Sequence, residues 1–375
     1  ASVTAKQQLV LRRQRFQRAS LATRRPSMLP AATTARAVAA RIPLRRGRNL
    51  SAAASAAALV IGYTDGAEYM IGYFKRVLPA LIQACCHKRV VFQPAPSPQR
   101  PPHVLLYSLF GTNHRAFVGS KCRLVCLSGE PDNISQRICH AVIDCKHVPS
   151  LRPPAATFAY LPFYVTSFDE RWRNKPSDLV KPNAGSSELE TWVTATAAAK
   201  TKFCAFLYSH DVPFRNQLFD QICQYRAVDA LGKCRAGKGT PGVKPATDRR
   251  EYKPGVQSYN DLAVQKYRPY KFVIACENVR QPGYVTEKIV SAMLAGAIPI
   301  YLGAPDIGQH FSLASFVHAV PSEISHVMER IRELDQQPDK YAAMLREPWL
   351  AGNVLSRYFQ PDYWSPETAA RLFVS

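Results

Sequence analysis

The stretch YKFVIACENVRQPGYVTEKIVSAMLAGAIPIYLG, running from Tyr270 to Gly303, carries the reading of the whole chain. An apolar run, Phe272 to Ala275, breaks at Cys276-Glu277-Asn278 and passes a Pro282-Gly283 turn. A helical pattern starts at Thr286, and a second apolar run, Ile298 to Leu302, closes the segment. The order predicted is strand, loop, helix, strand. In such a unit the loop at the carboxyl end of the first strand faces a ligand crevice, and the helix start presents unpaired N–H groups to an anion. Glu277, Asn278, Glu287 and Lys288 sit on those two edges. Lys288 brings a point charge where the helix dipole also favours an anion, and Glu287 can accept from two hydroxyls. Taken singly, Thr286, Glu287 and Lys288 would read as an ordinary cap, a dipole complement and a solvated lysine.

Two further clusters have the same form. Phe203 to Ser209 is a short apolar strand, followed by Pro213-Phe214-Arg215-Asn216 and a helix through Leu218, Phe219 and Ile222, which puts Arg215 at a helix entrance. Leu124 to Leu127 is a strand ending in Ser128-Gly129-Glu130-Pro131, a turn that brings backbone close to a ligand and delivers one carboxylate. Leu59 to Gly66 reads as a first strand and its loop, and Val104 to Gly111 as another strand leading to Thr112-Asn113-His114. Glu68 to Ala84 has the spacing of an amphipathic helix. Single histidines in loops, His103, His114, His210 and His310, read as surface residues. Cys122 and Cys126 alternate with Leu124 along a strand and read as buried free thiols.

The motifs resemble those of glycosyltransferase family 10, the α1,3/4-fucosyltransferases, in the style of bacterial and viral members. The family's YKF, EN, Y-[VI]-TEK and P-[IV]-x-x-G elements stand here as Tyr270-Lys271-Phe272, Glu277-Asn278, Tyr284-Val285-Thr286-Glu287-Lys288 and Pro299 to Gly303. Departures are Leu127, where a tyrosine is usual, Cys276, where an aromatic residue is usual, and a glycine-poor turn around Leu231. The resemblance implies an inverting transfer of L-fucose from GDP-fucose to a hydroxyl of a GlcNAc-containing glycan. It gives Glu130 the role of catalytic base, which proton transfer makes worth roughly 10²- to 10⁴-fold. Donor binding falls to Arg215, Glu277, Asn278, Tyr284, Glu287 and Lys288, with Arg215 and Lys288 around the diphosphate.

Alternating strands and helices over some 300 residues predict an α/β protein with two facing Rossmann-like domains, the glycosyltransferase-B architecture of the family. The expected partition is a basic, disordered segment over 1–55, an acceptor-side domain over 56–198, a GDP-fucose-binding domain over 199–353 and a tail over 354–375 on the domain seam. The formal charge is +22, but residues 1–50 hold eleven Arg, one Lys and no acid, so +12 lies there and +10 is left for the other 325 residues. The first segment has transit-peptide composition and is either a targeting segment or spurious. Over half of the excess charge thus lies outside the stretch that carries the motifs; no nucleic acid is expected as partner, the alternative being a binder that acts through this basic arm.

The partners expected are therefore GDP-fucose and a glycan or glycoprotein acceptor. No cofactor and no metal are expected, since no D-x-D element stands near a strand end and the Arg215 and Lys288 pair answers the phosphate charge. No stretch reaches 18 apolar residues, so no transmembrane helix is visible, and membrane association is left open. The family points to the Golgi membrane or lumen for a eukaryotic chain and to the cytoplasm for a bacterial or viral one. Asn49 and Asn133 begin glycosylation sequons. The alternatives are a transferase of the same fold using another nucleotide sugar, and a degenerate, non-catalytic basic binding protein.

Overall fold

The structure, a computed structural model, describes residues 58–168, 175–242 and 259–374. The basic segment over 1–55 and the Asn49 sequon lie outside the described residues. Two parallel sheets organise the rest. The first contains β1 (Leu59–Thr64), β2 (Val90–Pro94), β3 (Val104–Tyr107), β4 (Arg123–Ser128), β5 (Ala141–Asp144) and β6 (Thr157–Tyr160), in the order β2-β1-β3-β4-β5-β6. The second contains β7 (Lys202–Phe206), β8 (Asp229–Ala230), β9 (Tyr270–Cys276), β10 (Ile298–Leu302) and β11 (Val317–His318), in the order β11-β10-β9-β7-β8. Each begins with the 2-1-3-4-5 strand order of a doubly wound fold, which places a ligand crevice where the order reverses, between β1 and β3 and between β7 and β9.

The sequence explains why the central strands are parallel and covered on both sides. From Phe272 to Cys276 every residue of β9 is buried, and so is all of β10, so neither strand alternates in polarity. Helices cover the faces: α1 (Ile71–Cys86) follows β1, while α2 (Phe163–Thr166) and α3 (Ser187–Ala198) carry the chain to the second sheet. There α4 (Pro213–Tyr225), α5 (Tyr259–Tyr267), α6 (Glu287–Leu294), α7 (Ile324–Gln336) and α8 (Pro338–Arg346) follow. The last helix, α9 (Pro366–Phe373), returns to the first sheet, where it packs on α1 and where Arg123 Nε donates to the Leu372 carbonyl at 2.8 Å.

One apolar core runs through both sheets. It joins Phe74 and Leu78 of α1 to Ile289, Val290 and Met293 of α6, to Trp349, and to Phe359, Trp364 and Phe373 of the tail. The helix expected from Glu68 starts at Ile71 instead, because Asp65 and Gly66 take left-handed backbone angles and a 3₁₀ turn over Ala67–Tyr69 intervenes. All ten cysteines are unpaired thiols, with Cys122 and Cys126 buried as their alternation predicts. No helix among the described residues is long and apolar enough to cross a membrane.

Candidate active site

At the β7/β9 switch point the sheet is held open by a side chain. Ladder pairing between the two strands ends at Ala205 and Val273. Beyond it the Tyr208 hydroxyl donates to the Ile274 carbonyl at 2.7 Å and accepts from the Cys276 N–H at 2.6 Å. Two buried backbone groups that β7 no longer reaches are thereby satisfied, as burial requires. Arg215, on the first turn of α4 and 1% exposed, lies with its guanidinium 3.9 Å from the centre of the Tyr208 ring. It donates to the His210 carbonyl at 3.1 Å, the Cys276 carbonyl at 3.0 Å and Asn278 Oδ1 at 2.8 Å. Arg215 therefore ties together the loops after β7 and β9. Cys276 contributes its backbone to this junction, while burial pushes its thiol up to about 12.

The start of α6 is organised by a carboxylate. Thr286 is the residue before the helix, and Glu277, fully buried, accepts its N–H at 2.8 Å and its hydroxyl at 2.7 Å. Glu277 reaches in because Gly303 at the end of β10 has no side chain; a Cβ there would collide with the Glu277 Cγ. Lys288 donates to Thr286 Oγ1 at 2.9 Å and lies 3.4 Å from Glu277 and 3.6 Å from Glu287. Burial raises the Glu277 carboxyl above the usual carboxylate range, opposed first by the Lys288 charge. Burial pulls Lys288 down, but Glu287 and Glu277 outweigh it and hold the ammonium above the usual lysine value. Lys288 is thus charged at neutral pH and remains 18% exposed at its side chain.

Glu130 comes from the opposite sheet. Its loop is clamped by Lys146, wholly buried, which donates to the Glu130 carbonyl at 3.0 Å, to Ser128 Oγ at 2.9 Å and to Asp144 Oδ1 at 2.7 Å. Gly129 passes so close to the Phe163 ring that a Cβ would stand 2.5 Å from it. Against the pull of burial, the Glu130 charge helps to raise Lys288, after Glu287 and Glu277; Tyr284 is raised first by burial, then by Glu277, with Glu130 among the smaller causes. Tyr284 itself is buried, and Asn278 is held by Arg215.

The turn between β9 and α6 also docks on the first sheet. The His147 N–H donates to the Pro282 carbonyl at 2.9 Å, the Tyr160 hydroxyl to the Gly283 carbonyl at 2.8 Å, and the Tyr164 N–H to the Val285 carbonyl at 3.1 Å. Gly283 has φ 78° and would place a Cβ 2.6 Å from the His147 ring. Sequence reasoning saw this turn only as part of the donor half. It also missed Lys146 and Tyr208. A lysine two residues after a strand-end aspartate, on the same side of the chain, was the available signal for the first; Tyr208 looks like any core aromatic.

The histidine expectation fails at His114 and His310, both buried. His114 is drawn in by Asp65, 2.7 Å from its Nδ1. His310 is enclosed by aromatic rings, stacked on Tyr358 and edge-on to Tyr164, with Nε2 3.3 Å from the Tyr160 hydroxyl. That hydroxyl donates to Gly283, so Nε2 carries the hydrogen. Burial lowers His310 to about 4, despite Asp306. The native state therefore binds fewer protons than the unfolded chain between pH 6.5 and about 4, and stability falls as pH drops through that window, by on the order of 3 kcal/mol if the group titrates alone. Thermal unfolding at pH 7 and pH 5 should show this loss, and His310→Phe should flatten it; an equal slope in the variant would refute the assignment.

Fold and site define the class: an α/β protein of two Rossmann-like sheets in the glycosyltransferase-B arrangement. Residues 197–349 match the family model described as glycosyltransferase family 10 (fucosyltransferase), C-terminal. It is 33% identical over 207 residues to "Putative fucosyltransferase R654" of Acanthamoeba polyphaga mimivirus, covering 54% of this chain and 29% of that protein. It is 29% identical over 150 residues to the alpha-(1,3)-fucosyltransferase FucT of Helicobacter pylori, covering 40% and 28%. The chain thus spans under a third of the length of these curated relatives. A crystal structure of an alpha1,3-fucosyltransferase with GDP-fucose superposes with a TM-score of 0.56 at 20% identity, over 87% of this chain and 92% of that one, a likeness of fold.

Proposed function

We propose that this chain transfers L-fucose from GDP-fucose, with inversion, to a hydroxyl of a GlcNAc-containing glycan. The observation that carries the reading is the partly exposed Lys288 on the first turn of α6, 2.9 Å from Thr286 Oγ1 and beside Glu277 and Glu287, with Glu130 held on a strand-end loop of the other sheet. The Glu130 carboxylate takes the proton of the acceptor hydroxyl as its oxygen attacks the anomeric carbon. The bond from that carbon to the GDP oxygen breaks, and the electron pair leaves with GDP. Lys288 meets the charge that grows on the departing diphosphate, where an ammonium and a helix start act together. Arg215 supports it from behind, fixing Asn278 and adding positive potential at the switch point. Glu287 faces the donor's hydroxyls, while Glu277 and Tyr284 form the wall that holds Thr286 and Lys288 in place.

On this reading the phosphate charge is answered by side chains, with no metal or cofactor called for, and the partners are GDP-fucose and a glycan or glycoprotein, not nucleic acid. The Golgi follows from the family if the chain is eukaryotic, and the cytoplasm if it is bacterial or viral. The test is incubation with GDP-fucose and N-acetyllactosamine. Fucosylated product and free GDP are expected, with UDP- and ADP-sugars inert; product from a UDP-sugar alone would move the chain to another donor, and binding without turnover would make it a non-catalytic homologue.

A further inference from the structure

The β1/β3 switch point of the first sheet is as elaborately built as the donor crevice, and the transfer chemistry at Glu130 and Lys288 leaves it without a task. Asp65, directly after β1, has φ 55°, and its carboxylate accepts the N–H groups of Asn113 at 3.0 Å and His114 at 2.9 Å. The His114 ring, 2.7 Å away through Nδ1, lies flat on Tyr107 at 4.0 Å between centroids. Ser108 Oγ donates to the Asp65 carbonyl at 2.6 Å. Gly111 crosses the Asp65 carboxylate where no Cβ would fit, and a Cβ on Gly66 would stand 2.7 Å from the Phe110 ring. Every element of this lattice fixes the loops after β1 and β3.

What the lattice presents is apolar and uncovered. Phe110 is 63% exposed and Tyr69 62% exposed, and their rings meet edge to face at 6.4 Å. A buried Asp65–His114 hydrogen bond and two glycines without room for a side chain are costly supports for two rings left in water, and such exposed patches mark binding surfaces. The ledge is also in the right place. Because β1, β3 and β4 are adjacent and parallel, the loops bearing Tyr69, Phe110 and Glu130 share one sheet edge, with strands about 4.8 Å apart. One or two sugar rings span such an offset.

We propose that Phe110 and Tyr69 form the platform on which a pyranose of the acceptor glycan stacks, presenting its hydroxyl to Glu130. A pyranose offers an apolar C–H face to a ring and hydroxyls at its rim, and the exposed Thr112 and Asn113 follow Phe110 in the chain as the partly exposed Glu68 precedes Tyr69. This inference rests on the transferase reading above, and its test separates the two. Acceptor KM, kcat and the GDP dissociation constant are measured for wild type, Phe110→Ala, Tyr69→Ala and Phe110→Trp, with N-acetyllactosamine as acceptor. Each alanine should raise acceptor KM roughly tenfold, the size expected for a stacked aromatic, with GDP affinity unchanged and Phe110→Trp close to wild type. Unchanged KM in both alanine variants, or a parallel loss of GDP affinity, overturns the platform. If wild type transfers no fucose, the transferase reading fails, and saturation-transfer NMR of N-acetyllactosamine on the same proteins decides the ledge. A saturation signal present in wild type and abolished in Phe110→Ala supports it; no signal in wild type, or the same signal in both, overturns it.

Discussion

Glu130→Gln is expected to lower transfer by roughly 10²- to 10⁴-fold, the contribution of a positioned general base, while GDP-fucose still binds. Glutamine keeps the size of the side chain, and the contact that clamps the loop is made to the Glu130 backbone carbonyl by Lys146, which the substitution leaves alone. The loss should therefore fall on kcat, with the donor dissociation constant from calorimetry close to wild type. Loss of donor binding together with turnover would show instead that Glu130 supports the cleft rather than acting in it.

Lys288→Ala should weaken GDP binding by about 10- to 100-fold, the range that losing a hydrogen bond to a charged group of ~1.5–3 kcal/mol implies. The direction is reinforced by what the lysine leaves behind. Glu277 and Glu287, 3.4 and 3.6 Å from the ammonium, would turn uncompensated negative charge toward the phosphates. Glu277 is buried, so its carboxyl would rise further and the protein would also lose stability. The double variant Lys288→Ala, Glu277→Gln separates these effects: stability should recover, and GDP affinity should not return to the wild-type value. Wild-type GDP affinity in Lys288→Ala would remove the lysine from the phosphate site.

The parts of this molecule legible in its sequence are those set by local pattern. β9 and β10 announce themselves because parallel strands covered on both faces must be apolar throughout, and Glu130, Arg215 and Lys288 stand at strand ends and helix starts that topology turns toward a cleft. What stayed hidden depends on contacts between residues far apart in the chain. Nothing near Gly283 says that its turn docks on His147 and Tyr160, more than a hundred residues earlier. His310 reads as a surface histidine until Tyr164 and Tyr358 close over it. Cys276 looked like a departure without a reason; its N–H and carbonyl, held by Tyr208 and Arg215, carry the local work, and these would survive in any residue small enough for its buried place.

A donor-holding cation from one sheet and a base from the other, acting in one reaction, require displacement with inversion at the anomeric carbon. Following the anomeric proton by NMR as wild-type protein acts on GDP-fucose and N-acetyllactosamine tests it most directly. A fucosylated product whose anomeric configuration is opposite to that of the donor is expected. Product with the donor's configuration retained, or GDP bound with no fucose transferred to any glycan, would contradict it.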